Sequence, residues 1–556
     1  MTEGRRIVVI GGTGSFGARL VAALVATTDL VVVIAARRIG PADDLAAALR
    51  ARHPDRAIET CALDAAALTP DDLKRLGAWC VADCAGPFQG AEPRVAEAAI
   101  AAGAHYVDIA DARDFVAGFP RLDEAARTAG VLAVTGASST PGVSQSVLDD
   151  LTRGWRRIDT IEIAISPGNR QPRGLSVVTA ILANTGQRAR VFLDGVWTDR
   201  RSWGLIERRR MPGLGRRWLA LVETPDLDLV PQRFGPQRAA IFRAGLEVGV
   251  LHLGLWGLSK LVALGALSSL APFARPLRRI SELLSPFGSG RGGMTVTADG
   301  LNAEGESVTA TWALVAGPDG PNVPMLPALA IVRALAEGRL RHVGAEPCAG
   351  LLSLGDIARE LARFRIITRR IVRPRPVFAR ALGPAFATLP QAIRAGHAVD
   401  GTLRFAGRAS VTGAPSWLGR LFARLIGFPA PATDVPVAVE MQADRDDETW
   451  TRTFGEASFR SRLAAVAGRR AVVSERFGLL TFDLALTADR SGLDLTIVSG
   501  RLGRLHLPRV LLPRSHATER VDAEGRFCFD VPIALPGIGL LTHYRGWLVP
   551  EKRRAD

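Results

Sequence analysis

The sequence predicts an α/β protein in three parts: a doubly wound parallel sheet over residues 1–150, an α+β region over 151–355, and a β-rich region over 375–550 built as one curved antiparallel sheet or partial barrel. Three observations predict it. Up to residue 150, short apolar runs alternate with stretches of helical periodicity, the pattern of parallel strands joined by crossover helices. After Asp159 the runs shorten and alternate, as in Ile161–Ile165 and Val308–Leu314, which reads as an antiparallel sheet with insertions. Beyond Pro374 and Pro376, short strands are separated by turns such as Asp489-Arg490-Ser491-Gly492, with few helices between them.

The first strand, Ile7 to Ile10, stops at Gly11-Gly12-Thr13-Gly14-Ser15-Phe16-Gly17, and Leu20, Val21, Leu24 and Val25 then mark a helix. Strand, glycine turn and helix in that order present backbone N–H groups at a helix N-terminus, where a pyrophosphate can rest. Gly12, Gly14 and Gly17 satisfy G-x-G-x-x-G, so Gly11, Thr13, Gly14, Ser15, Phe16 and Gly17 are the expected dinucleotide contacts of a Rossmann domain. The second strand, Leu30 to Ile34, ends in Ala35-Ala36-Arg37-Arg38. An acidic residue there would accept from the ribose 2′-hydroxyl of NAD. Arg37 and Arg38 instead suit the 2′-phosphate of NADP, with NAD as the alternative cofactor.

A helix over Pro41–Arg52 precedes a third strand ending at Asp64, which either accepts from the adenine amino group or simply opens a loop. The fourth strand closes with Ala85-Gly86-Pro87, a turn able to run beside the nicotinamide ribose. Strand five, His105 to Ala110, puts Tyr106 and Asp108 on one face, and strand six, Val131 to Val134, ends in Gly136-Ala137-Ser138-Ser139-Thr140-Pro141-Gly142. Ligands of such sheets bind outside the carboxyl ends of the strands. Tyr106, Asp108 and Ser138 are therefore the candidate catalytic groups, the first two for proton transfer and Ser138, with Ser139, for donation to a substrate oxygen. The competing reading makes them a packing phenol, a satisfied carboxylate and a cap for the helix Val143–Leu151.

GGTGSFG, CAGPF, AHYVDIAD and TGASSTPGVS, followed by FGSGRGGMTV, PNVPMLPAL and GAEPCAGLL, resemble the saccharopine-dehydrogenase-like reductases over about residues 5–355. The resemblance implies a Rossmann domain, an α+β second domain, a nicotinamide cofactor and hydride transfer, and leaves the substrate open. Many members carry Gly-Glu where this chain has Ala110-Asp111, and Asp where Gly290 stands, so saccharopine itself is not the expected substrate. WTRTFGEASFRSR, SERFGLLTF and LPGIGLLTHYRGWL, within about Thr388–Val549, resemble an uncharacterised domain that follows such reductases in some bacterial proteins. Trp450, Arg452, Phe454, Glu475, His543, Tyr544 and Arg545 could line a pocket there, or could pack and pair as ordinary strand residues.

A length of 556 residues with 47% hydrophobic and 22% charged content describes a globular chain of several domains. The net charge of +15 invites nucleic acid, yet only Lys74, Lys260 and Lys552 are lysines among 70 basic residues, and the arginines are scattered. With no basic stripe and no zinc-finger spacing, no nucleic-acid partner is expected, while attraction to anionic lipid headgroups stays open. Five dispersed cysteines fit a reducing cytosol. Cys80 and Cys84 read as buried thiols, and no metal is expected. A strand entered almost at once leaves no secretory signal, so the expected location is cytoplasmic, with membrane association open.

Gly245 to Leu270 is apolar apart from Glu247, His252 and Lys260. It reads as core or homodimer-interface helices, as a shallow membrane-docking element, or as a span, with a break near Gly257 as a variant. Val377–Ala395 is expected to be helical, and Trp417–Ile426 (Trp417, Leu418, Leu421, Phe422, Leu425) to form a short amphipathic helix. The function expected is an NADP-dependent oxidoreductase acting on an apolar or lipid-like substrate. The alternative is a non-catalytic NADP-binding sensor or lipid-binding module.

Overall fold

Apolar runs that can be covered on both faces make a parallel sheet. In the computed structural model, which describes residues 4–171, 174–444 and 446–551, the first such strands are β1 (Arg6–Ile10), β2 (Val31–Ala36), β3 (Ile58–Ala62), β4 (Ala78–Asp83), β5 (His105–Asp108) and β6 (Leu132–Thr135). Consecutive residues Ile7, Val8 and Val9 are all fully buried, which only a sheet packed on both sides allows. The chain then builds β7 (Arg157–Ser166), β8 (Arg188–Leu193), β9 (Val196–Arg201), β10 (Glu207–Met211), β11 (Gly215–Leu221), β12 (Ala239–Ala244), β13 (Gly292–Leu301) and β14 (Ser307–Ala316). It returns to the first sheet through the helix Leu326–Ala336 and β15 (Gly344–Pro347), and ends this region with β16 (Ile366–Pro374).

The first sheet has seven parallel strands in the order β15-β6-β5-β4-β1-β2-β3, with the switch point between β1 and β4. The doubly wound parallel sheet is as expected, with β15 as a seventh strand. The second sheet runs β10-β11-β12-β7-β13-β14-β16, with β8 beside β12 and β9 beside β8. Here the antiparallel expectation is corrected: β12 pairs with β7 in parallel, so the sheet is mixed. A long excursion between these two strands, carrying the helix Asp226–Phe234, supplies the crossover that parallel pairing needs.

The chain divides into two compact units, residues 1–305 with 310–372, and residues 306–309 with 373–556. The second holds β17 (Thr402–Gly413), β18 (Ala432–Asp444), β19 (Asp447–Phe454), β20 (Ala457–Ala465), β21 (Val472–Phe477), β22 (Leu480–Ala488), β23 (Leu493–Leu502), β24 (Leu505–His506), β25 (His516–Val521), β26 (Phe527–Leu535) and β27 (Gly539–Pro550). Their antiparallel order is β22-β21-β20-β19-β18-β17-β27-β26-β25-β23-β24, and β22 also pairs with β23. The expected curved sheet therefore closes into a barrel. Its core takes Phe405, Val437, Val439, Trp450, Leu463, Phe527 and Leu548 from alternate strand positions.

The single helix expected over Val377–Ala395 is broken into Val377–Leu382, a tight turn Gly383–Thr388, and Gln391–His397. Gly383 adopts φ +57°, and Pro390 stands immediately before the second helix, where it starts a helix rather than continues one. The helix Trp417–Ile426 is as predicted, with Ser416 accepting from Gly419 N at 3.1 Å; the side chains of Leu425 and Ile426, like Lys552, lie outside the described residues. Of Gly245–Leu270, only Gly249–Ala263 is one helix, and it passes Gly257 without a break. Its 15 residues reach about 22 Å against the ~30 Å of a bilayer core, so it cannot span. No helix among the described residues is long and apolar enough to cross a membrane. One side of this helix joins a small core: Val262 is buried with Leu182, Leu270 and Ala274, and Leu255 and Leu258 pack against them.

Candidate active site

The glycine loop has the shape that a dinucleotide requires. Gly11 sits at φ +69°, and a Cβ there would press on the Cys84–Ala85 backbone at 3.0 Å. A Cβ on Gly12 would lie 2.9 Å from Val9 O and from the Ile34 side chain, and one on Gly17 would collide with the carbonyl oxygen of Gly11. Gly14 N donates to that same oxygen at 2.8 Å, which tightens the turn. The helix Gly17–Thr27 starts with no side-chain cap, although Ala18 N already donates to Gly14 O at 3.0 Å. A backbone packed this closely, ending on uncapped N–H groups, fits an anionic pyrophosphate.

The other predicted cofactor contacts collect at the carboxyl ends of the same strands. Arg37 and Arg38 follow β2, both exposed, and neither enters an ion pair or side-chain hydrogen bond among the described residues. Asp64 is exposed after β3, with its Oδ1 accepting from Ala66 N at 3.1 Å, a turn-opening role that leaves the carboxylate facing solvent. Ala85-Gly86-Pro87 follows β4, anchored by Ala85 N donating to Asp83 Oδ1 at 2.9 Å.

The three candidate catalytic groups lie at different depths. Tyr106 is buried, stacked on Phe119 with centroids 5.9 Å apart, and its hydroxyl faces Asp83 Oδ2 at 3.5 Å. Burial, with the charges of Asp108 and Asp83, holds that phenol well above its ordinary range. Asp108 is buried too. Its Oδ1 accepts from Gly136 N at 2.8 Å, Ala110 N at 2.9 Å and Thr135 Oγ1 at 3.0 Å, so one carboxylate oxygen ties the ends of β5 and β6 together. Burial pushes the Asp108 carboxyl up to about 7 despite those three donors, and Asp83 up to about 6 against Ala85 N and Tyr106. Ser138 is nearly covered and makes no capping bond to the following helix, whereas its neighbour Ser139 lines a cavity.

That cavity, of about 220 Å³, has Ser15 and Phe16 of the glycine loop in its wall together with Ser139. The rest of the wall comes from the second sheet and its flanks: Ile165, Trp203, Val222, Met294, Leu314 and Val323 among others. Gln171 is the other polar side chain on it. Neither Tyr106 nor Asp108 reaches this wall.

Two polar clusters had no local sequence signal, one fixing the strand-six turn and the other anchoring the helix after β5. Asp226 accepts from Ser144 Oγ at 2.5 Å, Thr140 Oγ1 at 2.6 Å and Gln145 Nε2 at 2.7 Å, and burial keeps its carboxyl above the usual range. Arg113, at the start of the helix after β5, is held by both carboxylate oxygens of Asp228, by Glu223 at 3.4 Å and by Arg190 O at 2.8 Å. Each partner lies some 80 to 115 positions away in the chain, and separations that long leave no motif to read.

In the barrel, Trp450, Arg452, Phe454, Glu475 and Tyr544 do come together. Arg452 donates to Ser461 Oγ at 2.7 Å and to Glu475 Oε1 at 3.1 Å, and its guanidinium lies 4.9 Å from the Trp450 ring centre. Burial pushes the Tyr544 hydroxyl up to about 12. His543 and Arg545 are separated from them: strand alternation turns both to the other face, where His543 pairs with Asp530 at 2.6 Å.

Residues 7–134 match the family model described as saccharopine dehydrogenase NADP binding domain, and residues 389–548 match a domain of unknown function, DUF4166. A comparison with curated proteins finds no match. Among solved structures, the chain is similar to an apo saccharopine dehydrogenase (L-Glu forming) from Saccharomyces cerevisiae, at 14% identity and TM-score 0.48 over 66% of this chain and 100% of that one. It is also similar to a probable dehydrogenase from Thermotoga maritima, at 11% identity and TM-score 0.32 over 65% of this chain and 98% of that one. The N-terminal domain is an NAD(P)-binding domain of the saccharopine dehydrogenase kind, and by that domain the chain is an oxidoreductase.

Proposed function

We propose that this oxidoreductase is NADP-dependent and works on an apolar, lipid-like substrate seated in the cavity between the glycine loop and the mixed sheet. One observation carries the reading: Ser15 and Phe16 share a single cavity wall with Ser139 and with Trp203, Met294 and Leu314. A bound nicotinamide supplies the hydride. The loop from Gly11 to Gly17 holds the pyrophosphate on its amides, Arg37 and Arg38 take the 2′-phosphate, and Ala85-Gly86-Pro87 borders the nicotinamide ribose. Ser139 donates to the substrate oxygen, and the surrounding aliphatic wall excludes water. Asp108 acts as a positioning residue by holding the Gly136 end of the Ser139 turn, with Tyr106 and Asp83 packed behind it.

A second reading is supported by the sparse polarity of the wall. Ser15, Gln171 and Ser139 include no group that titrates near neutrality, which suits an NADP-dependent sensor or lipid-binding module as well as an enzyme. Calorimetry with NADPH and NADH, followed by mass spectrometry of molecules retained on the purified chain, tests both. NADPH binding tighter than NADH, with a long-chain carbonyl or alcohol retained, is the expected result. Absence of NADPH binding ends the reading, and a retained lipid with no turnover selects the sensor.

A further inference from the structure

A second cavity, of about 910 Å³, opens between the helices Leu175–Asn184, Gly249–Ala263 and Ala274–Leu283. Gln171, Ile181 and Leu246 line both this cavity and the smaller one at the glycine loop, so the two are adjacent compartments with a common wall. Val178, Leu255, Leu258 and Leu277 give it an apolar side, and Arg170, Arg278 and Glu282 stand in the same lining. Val250 and Ile280 stand in its wall while being 73% and 46% exposed, which marks its mouth as open to the outside.

The surface around that mouth runs against the ordinary pattern. An outward helix face should be polar, yet the outer face of Gly249–Ala263 and the turn after it exposes Val250, Leu253, Leu261 and Leu264, the last 81% exposed, with Lys260 among them. On the second helix and its exit, Leu283 and Phe287 are 76% and 78% exposed. Large exposed apolar side chains gathered on two neighbouring elements mark a contact surface. The charges around them have one predominant sign. Between residues 249 and 287 the basic side chains are Lys260, Arg275, Arg278 and Arg279 and the acidic one is Glu282, and that carboxylate is paired with Arg278 at 3.2 Å. Arg275 and Arg279 are exposed one helical turn apart.

We infer that this face docks on an anionic lipid surface, with Leu264, Leu283 and Phe287 entering the headgroup boundary and Arg275 and Arg279 meeting lipid phosphates, so that the mouth of the larger cavity faces the membrane. The inference extends the lipid-like substrate reading, because the large cavity offers an acyl chain a place next to the compartment that holds Ser139. Docking itself rests on the surface alone. A second copy of this chain would also cover an apolar face, but it would bring the same excess of arginines against itself, whereas anionic headgroups complement them.

Co-sedimentation of the full chain with phosphatidylcholine vesicles, with and without phosphatidylglycerol, tests it. NADPH binding is measured on the same preparations. Binding is expected to phosphatidylglycerol vesicles and to weaken with salt. Arg275→Glu/Arg279→Glu should lower partitioning at least roughly 25-fold, about five-fold for each arginine. Leu264→Asp/Leu283→Asp should abolish it, with NADPH affinity kept as the sign of intact folding. Wild-type chain that ignores phosphatidylglycerol vesicles, or variants that bind as well as wild type, overturns the inference. Failure to bind lipid together with a dimer that Leu264→Asp/Leu283→Asp dissociates overturns it in favour of a second copy. Vesicle binding without NADPH binding leaves docking standing and removes the NADP reading instead.

Discussion

The parallel sheet and the barrel bury their strands by opposite rules. In the first, whole runs such as Ile7-Val8-Val9 vanish from solvent, and Arg113, on the helix that follows β5, is buried where it pairs with Asp228. In the barrel, alternate residues face out, and the outer face of β17 carries Arg404 and Arg408, paired with Glu440 and Asp434 in solvent. The teaching is that a charge is costly to lose where water cannot replace its partner, and nearly neutral where it can.

The largest break in that comparison should come from Arg113→Met. It leaves Asp228 and Glu223 without their cation, and equilibrium denaturation should show a loss of about 3–5 kcal/mol. A matched pair of glycines comes next. Gly17→Val places a side chain on the Gly11 carbonyl, and NADPH affinity should fall at least ~100-fold, by more than one strong hydrogen bond. Gly407→Val places one on the Trp547 carbonyl across the β17–β27 pair, and should cost about 1–3 kcal/mol in the barrel's unfolding transition while NADPH binding holds. Equal effects of the two on NADPH would erase the distinction between the regions.

A pH effect follows in size. The Asp108 carboxyl, raised by burial to about 7, binds a proton in the folded chain that the unfolded chain has released above about 4. Its contribution is therefore most favourable below pH 4 and is lost as pH rises towards 7. Asp108→Asn should flatten the fall in Tm between pH 4 and 7 and keep the three donors of Oδ1 satisfied. Smaller still, Arg37→Ala/Arg38→Ala should weaken NADPH roughly ten-fold and leave NADH unchanged. Smallest of all, Arg404→Ala on the barrel surface should shift stability by under ~1 kcal/mol.

The same contrast decides what could be read before the structure. β1, β2 and the glycine loop announce themselves because fully buried strands are continuous apolar runs and the turn chemistry is local. β17 does not announce itself in the same way, because its inward positions include Gly407 and Ala409 and its outward ones Arg404 and Arg408, which blurs the alternation. β15, Gly-Ala-Glu-Pro, is too short to show a period at all. For the candidate site, Gly11–Gly17, Arg37, Arg38 and the Ser138-Ser139 turn stand out as linear motifs. Asp226 and Arg113 do not, since their meaning depends on partners brought from distant positions. The exposure of the face around Leu264 and Leu283 could not be read either, because hydropathy records how greasy a segment is and not which side is left uncovered.

β15 also sets the order in which the protein can be made. The nucleotide-binding sheet lacks its last strand until residue 344 has left the ribosome, although its previous strand ends at residue 135. At ordinary elongation rates that interval is on the order of 10–40 s. During it β6 presents open backbone groups to whatever nascent chain lies nearby. A nascent chain in that state is a natural client for a chaperone, and a gene truncated near codon 150 should yield aggregates instead of a small soluble cofactor-binding fragment.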